Sequence, residues 1–201
     1  MQIVKLNKNN IPEIAKEINR GRVVICPTDT VYGFLADASN KKAVDKIFKI
    51  KNRPRSKPLA VFVKDIKAAK ELAEISDSQE KILKEKWLAR PKPAGGGGPG
   101  KFSFVFKRKK TSNRLYGLDK KTVAIRIPKY KFLNVLLSKI DKPLVQTSVN
   151  VSNNPALSKI SDIIEQFAKQ DVLLIDGGNL KKSKASKVID FSEEEIKILR
   201  N

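Results

Sequence analysis

Three stretches of this chain gather the side chains that chemistry needs. The first follows an apolar run, Val23-Val24-Ile25-Cys26, that reads as a buried strand. Pro27 ends it, and Thr28, Asp29, Thr30, Tyr32 and Gly33 come next. Hydroxyls at the end of a buried strand are costly unpaired, so they must bond backbone, water or a ligand. Taken alone, T-D-T is a capped turn leading into a short helix. The second stretch is KNRPRSKPLAVFV, Lys51 to Val63, where Lys51, Arg53, Arg55, Lys57 and then Lys64 surround two prolines. It reads as a solvated basic loop or as an anion-binding one, since it lies between a helix pattern and an apolar strand, where ligand loops of α/β folds sit. The third is TSVN, residues 147–150, whose Ser148 and Asn150 either make Asx-type turns or face a ligand.

The chain contains no histidine and one cysteine. Ser-His-Asp and Cys-His nucleophiles, His-ligated metals, Cys-cluster zinc and an intramolecular disulfide are thereby excluded. Cys26 sits in an apolar run and reads as core. Catalysis must rest on Lys, Arg, carboxylates, hydroxyls, backbone amides or a bound metal. Lys and Arg total 42 against 21 acids, a net charge of +21. Such an excess attracts phosphates or nucleic acid; a Lys-, Asn- and Ile-rich coding bias produces the same balance without selection for binding. No apolar run reaches the roughly 20 residues of a membrane span, and MQIVKLNKNN lacks a signal peptide's hydrophobic region, so the expected compartment is the cytosol.

The elements that must position these stretches alternate along the chain. Gln2–Leu6 is a strand candidate. Asn10, Pro12 and Glu13 open a helix with Ile11, Ile14, Ala15 and Ile18 on one face, closed by Gly21. Asn40 caps a second helix that buries Ala43, Val44, Ile47, Phe48 and Ile50. Leu59–Val63 is a strand; Asp65 and Ser76 open two helices, the latter carrying Ile82, Leu83 and Trp87. Strands over Phe102–Phe106 and Val123–Ile127 flank a basic loop, Lys107–Lys121. Helix Tyr130–Ile140, strand Pro143–Thr147, helix Ser161–Ala168, strands Val172–Ile175 and Lys187–Phe191 and the tail Ile196–Arg200 complete the chain. The interleaving predicts an α/β (α+β) open sheet with flanking helices, about one domain in length.

PTDTVYGFLADA, KNRPRSKPLAVFV and TSVN occur in that order, and together they resemble the YrdC-like family, which makes threonylcarbamoyl-adenylate for tRNA modification. Members usually read PT[DE]TVYGLGADA, KxRPxxxPL and SAN. The likeness implies a twisted, mixed open sheet, in the family's short single-domain form over residues 1–201. It implies L-threonine, bicarbonate and ATP as substrates, Mg²⁺ as cofactor, threonylcarbamoyl-AMP and pyrophosphate as products, and a tRNA threonylcarbamoyl transferase complex as recipient. A carbamate is already anionic, so its attack on the α-phosphate needs cations and positioning rather than a histidine.

By matched position, the resemblance implies that Lys51 and Arg53 hold ATP phosphates and act in catalysis. Lys57, Thr122, Ser148, Asn150 and Arg200 belong to the ATP side. Thr30, Arg126 and Ser186 fall on threonine, with Arg126 pairing its carboxylate, and Thr28, Tyr32 and Ser103 complete the set. Four departures stand out. Asn52 replaces the glycine of K-G-R, Leu35 the second glycine of Y-G-L-G, and Phe62 a threonine-contacting His. Ser186-Lys187-Val188 lacks one hydroxyl of the family's S-T-V.

Residues 88–98 separate Trp87 from Pro99-Gly100, which relatives join directly, and read as an inserted Gly/Pro-rich loop. Gly95 to Lys101 satisfies G-x-x-x-x-G-K, but Phe102 stands where a magnesium-binding hydroxyl is required and a strand pattern follows instead of a helix, which argues against a phosphate loop. Two other activities suit the same residues. One is a duplex RNA- or tRNA-binding module on the basic concave surface; the other is carbamoyl transfer from carbamoyl phosphate, which needs no threonine.

Overall fold

The computed structural model describes residues 1–88, 101–181, 183, 186–193 and 195–200. The expected insertion and the glycine run therefore lie almost wholly outside the described residues. Their flanks do not: the indole N–H of Trp87 donates to the Phe102 carbonyl at 3.0 Å, so the chain leaves and re-enters the fold at neighbouring points. Lys101 leads straight into a strand rather than a helix.

A ten-stranded mixed sheet organises the described residues. Its strands are β1 (Gln2–Lys5), β2 (Val24–Cys26), β3 (Gly33–Asp37), β4 (Ala60–Phe62), β5 (Phe102–Lys107), β6 (Thr122–Arg126), β7 (Leu144–Ser148), β8 (Leu173–Asp176), β9 (Lys187–Asp190) and β10 (Lys197–Arg200). They lie in the order β1-β8-β2-β3-β7-β4-β6-β5-β9-β10. Six α-helices pack on it: α1 (Ile11–Asn19), α2 (Lys41–Ile50), α3 (Ile66–Leu72), α4 (Asp77–Leu83), α5 (Lys131–Ile140) and α6 (Ile160–Phe167).

Period-two alternation decides which face each strand residue serves. Val61, Val123, Ile125, Phe104 and Phe106 turn to one face and meet Val44 and Ile47 of α2, Ala69 of α3, Leu83 of α4 and Phe167 of α6. Val24, Cys26, Leu35, Phe62 and Leu144 turn to the other, under Ile14 and Ile18 of α1 and Leu133 and Leu137 of α5. These two helices cover only part of the second face. From β4 outward that face carries short or polar side chains, Ala60, Ala124, Ser103, Arg126 and Arg200 among them, and a concave hollow opens there.

Local signals explain most boundaries. Asn40 accepts the Ala43 N–H at 3.0 Å, Asp65 the Ala68 N–H at 2.7 Å, and Ser76 shares a reciprocal capping box with Gln79. The start of α1 differs: the Asn10 amide donates to the Lys5 carbonyl, while Asn7 caps a short 3-10 turn that runs on into the helix. After Pro27 the chain does not enter a helix. It reverses into β3, antiparallel to β2 with Val24 opposite Leu35. The basic loop is wound into a 3-10 turn, Lys110–Arg114, held by the Arg108 guanidinium, which donates to the Leu115 and Asp119 carbonyls at 3.0 and 2.8 Å. Within the tail, Lys197–Arg200 forms an edge strand. No helix among the described residues is long and apolar enough to cross a membrane.

Candidate active site

The hollow on the uncovered face has a volume of about 420 Å³. Register fixes its floor. Gln146 pairs with Ala60, Ala124 with Val105, and Val105 with Asp190, a row of mostly small side chains. One step along the strands, Phe62 pairs with Arg126, and Ser103 with Val188, itself opposite Arg200. Thr30, Arg53, Ser103, Thr122, Arg126, Ser148, Ser186 and Arg200 all line it, so eight of the expected site residues converge on one cavity.

Arg126 is buried, with its guanidinium over the Phe62 ring at 5.7 Å. Asp29 accepts from its Nη2 at 2.6 Å and Thr30 Oγ1 from its Nη1 at 3.3 Å. Asp29 in turn accepts the Lys129 N–H, so the carboxylate after Thr28 locks the guanidinium plane. Ser103 and Ser186 share a buried hydroxyl contact of 2.9 Å, and Arg200 donates to the Ser186 carbonyl and hydroxyl at 2.8 and 3.1 Å. Burial, then the neighbouring charge of Arg126, pushes the Arg200 guanidinium below its ordinary range. Arg53, also pushed down by burial, clamps its own loop by donating to the Lys57 and Pro58 carbonyls, both at 2.8 Å. Guanidinium groups stay protonated under such shifts. Three of them face one hollow whose lining acids, Asp119 and Asp190, already accept main-chain N–H groups, so the cavity calls for an anionic ligand.

Lys51 stands elsewhere. It caps α2, is 1% exposed, and spends its three N–H bonds on the Ser148 carbonyl (2.6 Å), the Asn150 carbonyl (2.8 Å) and Asn150 Oδ1 (2.7 Å). Asn150 is likewise turned inward, its amide donating to the Asn154 carbonyl. Within the fold the ammonium therefore holds the loop that presents Ser148. The next residue, Asn52, has φ 47°, the left-handed region that glycine or asparagine adopts at least cost.

The other expected residues are structural in their contacts. Thr28 Oγ1 accepts the Thr30 and Val31 N–H groups and closes the turn. The Tyr32 hydroxyl accepts from Gly177 N–H and donates to the Gly178 carbonyl, and burial pushes its pKa up to about 12. Lys57 reaches Asn153 at 3.2 Å on the surface. Sequence reading did not single out Asp29 as the partner of Arg126, nor Gln146 on the floor. The signal for Gln146 was one long polar side chain inside the apolar run Pro143–Thr147. A second hollow, of about 1150 Å³, is lined by Lys64, Lys70 and Lys142, each already paired with a carboxylate, and holds none of the expected site residues.

The Sua5/YciO/YrdC family model, described as telomere recombination, matches residues 16–201. The chain belongs to this family. A Methanocaldococcus jannaschii relative, 32% identical over the whole of this chain and 91% of its own length, carries the threonylcarbamoyl-AMP synthase name provisionally. A Pyrococcus abyssi threonylcarbamoyl-AMP synthase is 31% identical over 91% of this chain, which spans only 51% of that longer protein. The crystal structure of P. abyssi Sua5 complexed with L-threonine superposes with a TM-score of 0.83 at 26% identity, covering 99% of this chain and 56% of that one. E. coli YciO shares the fold, with a TM-score of 0.83 at 22% identity over 100% and 93% of the two chains.

Proposed function

We propose that this Sua5/YciO/YrdC protein is a threonylcarbamoyl-AMP synthase, joining L-threonine, bicarbonate and ATP and releasing pyrophosphate. The observation that carries the reading is the convergence of Arg53, Arg126, Arg200 and the paired hydroxyls on one small hollow. Relatives named for this activity, and one bound to L-threonine, support it.

The residues divide the work by charge and reach. Arg126, its plane fixed by Asp29, receives the amino-acid carboxylate, with Thr30 and the Ser103–Ser186 pair beside it. Phe62 fills the place of the family's His and turns that contact into an apolar and cation-π support for Arg126. Arg53, Thr122, Ser148 and Arg200 take the triphosphate. Lys51, Asn150 and Lys57 act on the nucleotide by holding the loop around Ser148.

Bicarbonate loses hydroxide to give CO₂; the threonine amine attacks that carbon and its proton passes to the hydroxide, leaving a carbamate and water. A carbamate oxygen then forms a bond to the α-phosphorus as the bond to the β-phosphate oxygen breaks, and pyrophosphate leaves. Charge moves onto the leaving group, which the guanidinium groups stabilise without reorganisation. Among the described residues no group of three His, Cys, Asp or Glu side chains is placed to hold a metal ion. Mg²⁺ therefore fits this chain as an ion carried on ATP phosphates, neutralising their charge, rather than as one caged by protein. The ten-stranded sheet works as one domain, with residues 88–98 an insertion in its sequence. The product, a mixed anhydride, passes to a tRNA threonylcarbamoyl transferase complex. The test is label transfer: bicarbonate carbon must enter an adenylate only when threonine and ATP are both present. Equal labelling without threonine refutes the reading.

A further inference from the structure

One polar side chain on the cavity face of the sheet has no internal work. Every lining Arg, Asp and Ser, with Thr30 and Thr122, makes hydrogen bonds inside the fold, whereas the Gln146 carboxamide makes none among the described residues; nor does the Thr147 hydroxyl, but Thr147 pairs with Phe34 and alternates to the opposite face of β7. Its polar atoms are not sealed from solvent, so this half-buried amide stands in the cavity with its donor and acceptor available to a ligand.

Its position says which ligand atoms. Gln146 pairs with Ala60, in the middle row of the floor. Two residues further on the same strand and face is Ser148, among the residues that we place on phosphate. One step the other way, across the sheet, lies the row of Phe62 and Arg126, where we place the carboxylate. Successive same-face residues stand about 7 Å apart, so the middle row lies between the two anchors. Its neighbours Ala60 and Ala124 are short and leave the space above them free. In the reaction proposed above, what lies between the amino-acid carboxylate and the α-phosphate is the new carbamoyl group. That group offers one N–H and carboxyl oxygens. A carboxamide matches it, with Oε1 accepting and Nε2 donating, and brings no charge to oppose the anion.

We infer that Gln146 binds and orients the nascent carbamoyl group, and so governs use of bicarbonate. This rests on the proposed synthase activity. The experiment is threonine-dependent pyrophosphate release by the whole chain, with bicarbonate, ATP and threonine varied separately, for wild type, Gln146→Met and Gln146→Glu. Methionine keeps length without hydrogen bonds; glutamate keeps shape but sets a negative charge against the carbamate. Gln146→Met lowers kcat/KM for bicarbonate about tenfold or more, the effect of one or two lost hydrogen bonds, with KM for ATP within about twofold. Gln146→Glu lowers it further. The thermal midpoint stays unchanged in both, because no internal bond is lost. Wild-type bicarbonate kinetics in Gln146→Met overturn the inference, and so does a loss shared equally with ATP and accompanied by a lower midpoint. An active wild type beside an unaffected Met variant refutes the role of Gln146 alone, whereas a wild type without threonine-dependent release removes the synthase reading beneath it.

Discussion

Replacing Lys51 by methionine takes away one buried ammonium and its bonds of 2.6, 2.8 and 2.7 Å to the 148–150 loop. Asn150 Oδ1 keeps a donor, the Ser148 hydroxyl at 2.8 Å, so the loss falls on two main-chain carbonyls. A buried acceptor stripped of its donor costs about 1–3 kcal/mol, and removing the buried charge offsets part of two such losses, leaving a net destabilisation of about 2–4 kcal/mol. Urea denaturation reads this as a lower midpoint with an unchanged slope. The pH dependence carries a sign. Burial, with the Arg53 charge second, pulls Lys51 from 10.5 down to about 7. Its folded pKa lies below its unfolded one, so between those values the unfolded chain binds more protons and this group's contribution to stability rises with pH. The gap between wild type and Lys51→Met must therefore widen from pH 7 to pH 9. Pyrophosphate release should fall about 100-fold, the usual cost of a reacting group displaced by about 1 Å. A variant within about 0.5 kcal/mol of wild type at both pH values, with release intact, refutes the pinning role.

Arg126→Lys keeps the charge but loses the planar fork held by Asp29 and Thr30; KM for threonine should rise about 10- to 100-fold in steady-state assays while KM for ATP changes little. Cys26 is fully buried and its thiol pKa is pushed up by that burial, so alkylation followed by mass spectrometry should label it only at the rate of unfolding. Asn52, at φ 47°, should tolerate glycine within about 0.5 kcal/mol, whereas Asn52→Val should cost about 1–2 kcal/mol in denaturation midpoints.

What could be read from sequence follows from how local each signal is. Thr122-Val123-Ala124-Ile125-Arg126 alternates, and the alternation alone separates core-facing Val123 and Ile125 from cavity-facing Ala124 and Arg126. The caps at Asn40, Asp65 and Ser76 are equally local, and each holds. β3 was hidden because Gly33–Asp37 is buried throughout and shows no alternation to betray a strand. Lys51 showed itself as a cation beside a basic loop. Its partner within the fold, the Ser148 carbonyl, lies 97 residues away, and a main-chain oxygen leaves no mark in a sequence. Asp29 and Arg126, also 97 residues apart, were each visible, but only β4–β6 pairing and the β2–β3 turn bring them together. The orientation of Gln146 needed the register of β7.

The central claim is that this hollow builds a threonylcarbamoyl adenylate from three substrates. The most direct measurement is pyrophosphate release by the purified chain with L-threonine, bicarbonate and ATP, each omitted in turn, beside Arg53→Ala and Arg126→Ala. The account predicts release that needs all three and falls about 100-fold or more in either variant, as loss of a charge-stabilising contact requires. Release that continues without threonine, or that persists in both variants, would contradict it.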